Sequence, residues 1–194
     1  MRKNKIVILG CGGTIAMIPD EKTGVLRPAQ TVTEIVEMVP KIKDLVDVEL
    51  EQLWNVDSTE LTPNNWSVLT TKIADLLERY DGVVVTHGTD TMAYSATAVS
   101  LGLGKGLKKP VIFTGSQLPL TSFRTDAVTN LEEAVNAINL AINNHVAEVM
   151  VAFDRFIFRG NRTVKVSEAR FGAFNSPAYP PPGREHRRGC IFYS

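Results

Sequence analysis

Short apolar runs that alternate with longer amphipathic segments constrain the fold of this chain more than any other feature. Residues 6–9 and 83–86 are two such runs, and residues 110–114 and 148–153 repeat the pattern. A short apolar run bounded by turn residues is typical of a strand that is covered on both faces. Strands that alternate with helices predict an open, mostly parallel, doubly wound α/β sheet flanked by helices.

Capping signals predict where the intervening helices begin. Thr31 and Glu34 have the spacing of a capping box, and Pro63 directly after Thr62 is typical of a first helical turn. The other predicted elements are a strand at 46–53, helices at 91–103 and 126–144, and a C-terminal hairpin at 156–168 that turns at 159–161.

Two segments carry no periodic pattern. Residues 17–28 are polar and predict a mobile loop, rather than a helix or strand, that acts as a lid and becomes ordered with ligand. Residues 177–183 contain consecutive prolines and predict a stiff exit segment of the kind that precedes another domain. The arginine-containing stretch 184–194 is then expected to be an irregular, solvated tail.

Charge and cysteine usage exclude several classes of protein. Lys plus Arg and Asp plus Glu both number 21, so no basic field indicates binding to nucleic acid. Cys11 and Cys190 lie at opposite ends of the chain, which favours a cytoplasmic protein without a disulfide framework. The apolar run at 6–9 is too short for a signal peptide, and no run approaches a membrane span.

Several polar residues directly follow predicted strands. A parallel sheet brings the carboxyl ends of its strands to one edge, where open α/β sheets bind their ligands. Each such residue alone is more often a helix cap, but together they predict a binding site. These residues are Thr14, Ser58, Thr89, Asp90 and Ser116.

Common cofactor motifs are incomplete in this sequence. Ile15 replaces the last glycine of a dinucleotide-binding loop, and Leu118 replaces the second glycine of a nucleophile elbow around Ser116. Aspartates at positions 57, 90 and 126 could join His87 around a metal, but no metal-ligand spacing accompanies them. The sequence therefore predicts neither cofactor nor metal, and His87 is expected to be hydrogen-bonded at its strand end.

The sequence resembles the bacterial-type L-asparaginases, in their cytoplasmic type I branch. The resemblance is carried by residues 12–16 and 87–93, and downstream by 113–119, 124–126 and 158–165. It implies the flavodoxin-like fold of the family's N-terminal domain, with residues 1–183 as the catalytic domain, 184–194 as an irregular tail and the family's C-terminal domain absent. It also implies a homo-oligomer.

By this resemblance, Thr14 attacks the side-chain amide of L-asparagine, with L-glutamine as a weaker substrate. An acyl-enzyme forms, ammonia leaves, and water releases aspartate. A threonine hydroxyl needs an activating neighbour, and Thr89, Asp90 and Lys165 match the family's second hydroxyl, acid and lysine. We expect burial to lower the pKa of Lys165 and make it a proton carrier. The matching substrate-binding residues are Gly13, Asp57, Ser58, Thr59 and Ser116.

Val25 follows Gly24 where the family commonly has a tyrosine, so the activation of Thr14 stays open. Three hypotheses compete. The first is an asparagine amidohydrolase. The second is a truncated, non-catalytic remnant that binds amino acids or a partner. The third is the amidase subunit of a tRNA-dependent amidotransferase, which we place last because that subunit carries an extra domain before its glycine motif.

Overall fold

A computed structural model describes residues 2–19, 22–24, 26–28, 31–186 and 189–192. The strands are β1 (Lys5–Gly12), β2 (Met17–Pro19), β3 (Leu26–Pro28), β4 (Asp47–Val56), β5 (Gly82–Thr86), β6 (Val111–Thr114), β7 (Val149–Phe153), β8 (Phe156–Arg159), β9 (Val164–Lys165), β10 (Phe174–Asn175), β11 (Gly183–His186) and β12 (Gly189–Phe192). The α-helices are α1 (Val32–Glu37), α2 (Ile42–Leu45), α3 (Pro63–Arg79), α4 (Met92–Leu103) and α5 (Ala127–Asn143).

An eight-stranded sheet in the order β12-β11-β8-β7-β6-β5-β1-β4 forms the centre of the molecule. From β7 to β4 neighbouring strands are parallel, and β8, β11 and β12 each pair antiparallel with the preceding strand of the sheet. The five parallel strands have the flavodoxin-like order. The chain first places β4 on one side of β1 and then places β5, β6 and β7 on the other side, so the switch point lies between β1 and β5. The predicted mostly parallel α/β sheet is therefore confirmed, and its ligand site is expected outside this switch point.

Helices cover both faces of the sheet, which explains why the central strands read as apolar runs without alternation. Ile8 and Ile112 on one face pack in a core with Leu131 of α5. On the other face, Val85 and Phe113 pack with residues of α3 and α4. β4 ends the sheet and mixes exposed and half-buried residues, as suits an edge strand.

The hairpin near the C-terminus turns earlier than the sequence predicts. β7 and β8 form it, and Asp154 and Arg155 make the turn with φ values of 47° and 69°. Their amides donate to side chains of α5, Asp154 to Asn130 Oδ1 and Arg155 to Glu133 Oε2. The predicted turn at 159–161 is wrong, because Gly160–Arg162 is instead a short 3₁₀ helix.

Two stretches expected to be irregular contain strands. β2 and β3 pair antiparallel, with Met17 opposite Pro28, so residues 17–28 include a small hairpin. Val25 lies outside the described residues. The predicted irregular tail is also wrong, since β11 and β12 extend the main sheet through the pairing of Arg184 with Phe156. Backbone pairing with an exposed edge needs no apolar periodicity, which is the signal that the sequence lacks here.

None of the helices in the described part of the chain has the length and apolarity that a membrane crossing requires.

Candidate active site

Three loops meet at the carboxyl ends of β1, β4 and β5, at the switch point of the sheet. The Gly13 amide donates to Val56 O at 3.2 Å, which joins the first two loops. Thr91 Oγ1 donates to Ser58 O at 2.8 Å, which joins the second and third. The structure thus brings Thr14, Ser58 and Thr89 to one edge, as their positions after strands predict.

Gly13 lets two of these loops touch backbone to backbone. Its φ of 85° lies in the left-handed region, and a Cβ added to it would stand 2.3 Å from the amide nitrogen of Gly88. A Cβ on Gly88 would in turn stand 2.5 Å from Ser58 Oγ. The half-buried Thr14 follows at the start of the 3₁₀ helix Thr14–Ala16. Glycine at these positions therefore sets how near Thr14 comes to the β5 loop.

Lys165 reaches this edge from outside the main sheet. Its Nζ lies 3.0 Å from Thr89 Oγ1 and 2.6 Å from Asp90 Oδ1, and it also contacts Glu168 Oε2. Its side chain is only 10% exposed. The structure therefore joins the three residues that the family resemblance matches to a hydroxyl, an acid and a lysine.

The segment that carries Lys165 runs along α4 toward the start of that helix. Thr97 Oγ1 of α4 lies 3.3 Å from Gly160 O, near the middle of the helix. Lys165 then pairs with Phe174 across β9 and β10, and the Phe174 ring contacts that of Phe153 edge-on. This packing fixes the backbone from which the lysine side chain projects.

The pKa of Lys165 differs from the sequence-based expectation. Burial alone lowers this pKa, but the hydrogen bonds with Asp90 and Glu168 outweigh that effect and raise it above its ordinary value of 10.5. The expectation of a lowered pKa is wrong because it gave burial more weight than the neighbouring Asp90 and did not include Glu168. At neutral pH, Lys165 is an ammonium group that donates a hydrogen bond to Thr89 Oγ1.

The loop after β4 holds the predicted binding residues in a tight turn. Asp57 Oδ1 accepts hydrogen bonds from the amide of Thr59 at 2.9 Å and from its hydroxyl at 2.8 Å. Ser58 between them is buried. The Asp57 carboxylate thus shapes the turn, and contact with a substrate stays a prediction for these residues and for Gly13.

Ser116 closes its own loop after β6. Its hydroxyl donates to Leu118 O at 2.5 Å, and the amides of Gln117 and Leu118 donate to the carboxylate of Asp126. Gln117 Nε2 donates to Arg170 O at 3.1 Å, which links this loop to the segment after Lys165. Ser116 therefore uses its hydroxyl hydrogen within the loop, and a role in binding stays a prediction.

His87 is a structural residue at the end of β5, in agreement with the sequence-based expectation. Its Nδ1 lies 2.8 Å from Gly88 O, and its ring packs edge-on against Phe113. Complete burial lowers its pKa from 6.5 to about 4, so the ring is neutral at neutral pH. Within the described residues, no group of three or more His, Cys, Asp or Glu side chains is arranged to hold a metal ion.

A groove of about 680 Å³ opens beside Lys165. Asp90, Lys165 and Glu168 line one part of it, and side chains of α4, including the aromatic Tyr94 and the aliphatic Leu101, line another. Sequence reasoning missed both Glu168 and this groove. The spacing of Glu168, three residues after Lys165, and the exposed helical stripe through Tyr94 and Leu101 were the available signals.

Comparisons with known proteins agree with this architecture. The family model described as "Asparaginase, N-terminal" matches residues 5–193, which extends the resemblance into the predicted tail. The chain is 38% identical over 187 residues to a subunit of the glutamyl-tRNA(Gln) amidotransferase of Aeropyrum pernix. It is also 38% identical over 185 residues to L-asparaginase 1 of Escherichia coli strain K12.

These alignments cover 94% and 93% of this chain and 44% and 53% of the two relatives. A solved structure of a probable cytoplasmic L-asparaginase from Campylobacter jejuni superposes with a TM-score of 0.88 at 35% identity, over 99% of this chain and 59% of that one. The chain therefore spans about half the length of the curated relatives it matches. With the sheet order, the cluster at the switch point and these matches in agreement, the chain belongs to the asparaginase family, in which it corresponds to the N-terminal domain.

Proposed function

We propose that this protein hydrolyses the side-chain amide of L-asparagine to L-aspartate and ammonia, with L-glutamine as a weaker substrate. The observation that carries the proposal is the direct hydrogen bond from Lys165 to Thr89, one loop away from Thr14 at the switch point. The similarity to L-asparaginase 1 of Escherichia coli supports the choice of substrate.

In the proposed reaction, Thr14 is the nucleophile. Its Oγ1 attacks the amide carbon while its proton is transferred toward the leaving nitrogen, and the C–N bond breaks to give ammonia and an acyl-enzyme. Water then attacks the ester carbon and releases aspartate together with the free threonine. The loop amides at the strand ends are suited to stabilise the oxyanion that forms in each step.

Thr89 and Lys165 serve as the proposed proton path for Thr14. Thr89 takes the proton of Thr14 and passes its own proton to Lys165 once that side chain is a neutral amine, and Lys165 returns a proton to the leaving nitrogen. As an ammonium group, Lys165 donates to Thr89 Oγ1 and stabilises negative charge on it. Asp90 holds the ammonium in place through its 2.6 Å contact. Asp57, Ser58 and Thr59 are the proposed contacts for the α-amino and α-carboxylate groups of the substrate, with Gly13 and Ser116 beside them.

A second candidate is the amide-hydrolysing subunit of a tRNA-dependent amidotransferase. The observation that favours it is the relative from Aeropyrum pernix, whose identity to this chain equals that of the asparaginase from Escherichia coli. Both candidates use the same amide chemistry and differ in the preferred substrate. We also propose a cytoplasmic location, supported by the neighbour from Campylobacter jejuni, and a homo-oligomer, which stays a prediction.

Ammonia release by the purified protein tests the proposal. We expect release from L-asparagine to exceed release from L-glutamine, and the reverse order would favour the amidotransferase candidate. Thr14→Ala should abolish release, whereas Thr71→Ala, on an exposed face of α3, should keep it. Undiminished turnover by Thr14→Ala would show that another group is the nucleophile, and no turnover by the wild-type protein would favour the non-catalytic remnant.

A further inference from the structure

Glu168 is a charged side chain that the proposed reaction leaves without a role. It follows Lys165 by three residues, and its carboxylate contacts Lys165 Nζ. Its side chain is 79% exposed, compared with 47% for Asp90 and 10% for Lys165. Two carboxylates therefore share one ammonium group that is almost out of contact with water.

The three contacts of Lys165 occupy every N–H of its ammonium group. A lysine ammonium carries three donors and no acceptor. Thr89 Oγ1, Asp90 Oδ1 and Glu168 Oε2 take one donor each. An ammonium group has no lone pair, so Lys165 must lose a proton before it can accept one from Thr89. The acceptor to which this proton is hydrogen-bonded then loses its hydrogen bond with Lys165.

Glu168 is the partner that is released most easily. Asp90 directly follows Thr89 in a loop that Gly13 contacts closely, and its side chain is less exposed than that of Glu168. Glu168 lies in the segment between β9 and β10, and water already surrounds most of its side chain. Because Glu168 is the more exposed of the two carboxylates, water replaces it at Lys165 more readily than it replaces Asp90.

The surroundings of Lys165 contain few competing charges. Among the described residues that line the groove, Asp90, Lys165 and Glu168 are the charged ones, and Tyr94 of α4 is the remaining titratable one. Of the two carboxylates, Asp90 is needed to hold the lysine against Thr89. Glu168 is therefore the one whose movement changes the charge around Lys165 and leaves its position unchanged.

We propose that Glu168 is a positioning residue that sets the protonation state of Lys165. When docked, it keeps Lys165 as an ammonium group. When Glu168 withdraws, the ammonium loses one proton to water, and the neutral amine accepts the proton of Thr89 as Thr89 takes that of Thr14. This inference rests on the proposed function for the proton transfer, but the effect of Glu168 on Lys165 can be measured without it.

The test compares Glu168→Gln with the wild-type protein. Glutamine keeps the size and an acceptor oxygen but removes the charge. The pKa of Lys165 is followed by NMR titration of its Cε and Nζ resonances, which are identified by their loss in Lys165→Met. We expect this pKa to fall by about one unit, since a neighbouring opposite charge shifts a pKa by about that much or more. The control is Glu78→Gln, at an exposed position near the C-terminal end of α3, and it should leave the pKa of Lys165 unchanged.

Kinetics give the second readout. In Glu168→Gln the acidic limb of the pH profile of kcat/KM should shift to lower pH by the same amount as the pKa of Lys165. At a given pH on this limb, kcat/KM should therefore rise about tenfold, with little change in KM. An unshifted Lys165 titration in a folded variant would overturn the inference, and so would a shifted titration with an unmoved profile. If the wild type releases no ammonia but the Lys165 pKa still falls in Glu168→Gln, the proposed function fails and the control of Lys165 by Glu168 stands.

Discussion

The two ends of the sheet carry clusters of the same three residue types, a lysine, a carboxylate and a hydroxyl. At the carboxyl end, Lys165 donates directly to Thr89 Oγ1. At the amino end, Lys5 Nζ lies 2.7 Å from Glu49 Oε1, and the Tyr80 hydroxyl donates to the other oxygen of that carboxylate. At the amino end, the carboxylate therefore lies between the lysine and the hydroxyl. At the carboxyl end, the lysine contacts the hydroxyl directly and the carboxylate separately.

This difference in order decides which cluster can move a proton between its lysine and its hydroxyl. Lys5 is 34% exposed, whereas Lys165 is 10% exposed and lines a groove. The pKa of Lys5 is raised chiefly by its hydrogen bond with Glu49, whereas burial is the largest influence on Lys165 and opposes its carboxylates. Residue types alone therefore do not make an active site, and the amino-end cluster supplies matched controls for the other.

The largest expected effect is on kcat for ammonia release, when the lysine of each cluster is replaced in turn. Lys165→Met should lower kcat for ammonia release about a thousandfold, because Thr89 loses its donor, while KM changes by less than about threefold. Lys5→Met should change neither by more than about twofold. Steady-state kinetics on both variants checks this, and equal losses in kcat and in substrate affinity would make Lys165 a binding residue.

Gly13→Ala should be the most damaging small substitution. Its Cβ would meet the Gly88 backbone at 2.3 Å, and its φ is positive, so we expect the free energy of unfolding to fall by about 3 kcal/mol. At the opposite end, Gly106→Ala meets no atom within 4 Å and should change it by less than about 0.5 kcal/mol. Urea unfolding compares the two. Similar stabilities would mean that the β1 and β5 loops separate easily.

His87 should make stability depend on pH. Its folded-state pKa of about 4 lies below the unfolded value of 6.5, so its proton binds preferentially to the unfolded chain. Its contribution is complete above about pH 6.5 and is lost as the pH falls toward about 4. Between about pH 7 and about pH 4, the wild type should lose about 3 kcal/mol more than His87→Asn.

The control for His87 is His145→Asn, in the exposed loop after α5 near the amino end of β7. In urea unfolding at both pH values, this variant should lose as much free energy of unfolding between about pH 7 and about pH 4 as the wild type does. If His87→Asn and the wild type lost stability in parallel, His87 would not be buried as a neutral ring in solution.

The smallest effect is expected at the amino-end hydroxyl. Tyr80→Phe removes the hydrogen bond to Glu49 but keeps the buried ring, so the free energy of unfolding should fall by about 1 kcal/mol. The kcat for ammonia release should be unchanged. Thermal unfolding together with the ammonia assay checks both parts, and a large drop in kcat would show that the two ends of the sheet are coupled.

The sequence predicts elements best where burial on both faces leaves an apolar run, as in β1, β5, β6 and β7. The turn at Asp154 and Arg155 was missed because side chains of α5 hold it, and no glycine or asparagine marks it. The strands β11 and β12 do not follow from local sequence, because β11 pairs with β8, a neighbour distant in sequence, and β12 then pairs with β11.

Prediction of the site divides in the same way. Thr14 and Thr89 follow recognisable strands, so their meeting follows from topology. Lys165 was predicted only through the family resemblance, since its segment lies along α4 for reasons that no local pattern records. The direction of its pKa does not follow from the sequence, because the hydrogen bonds with Asp90 and Glu168 that outweigh burial are visible only in three dimensions.

The segment from Gly160 to Lys165 has a consequence for how this protein can change in length. Gly160 is packed against the middle of α4, and Lys165 must end beside Thr89 and Asp90 at the start of that helix. The helix therefore fixes the length of the segment. One inserted residue advances an extended chain by about 3.3 Å, whereas the hydrogen bond of 3.0 Å between Lys165 Nζ and Thr89 Oγ1 tolerates a change of only about 0.5 Å. Side chains can vary along this stretch, but an insertion or deletion within it disconnects the lysine from its hydroxyl.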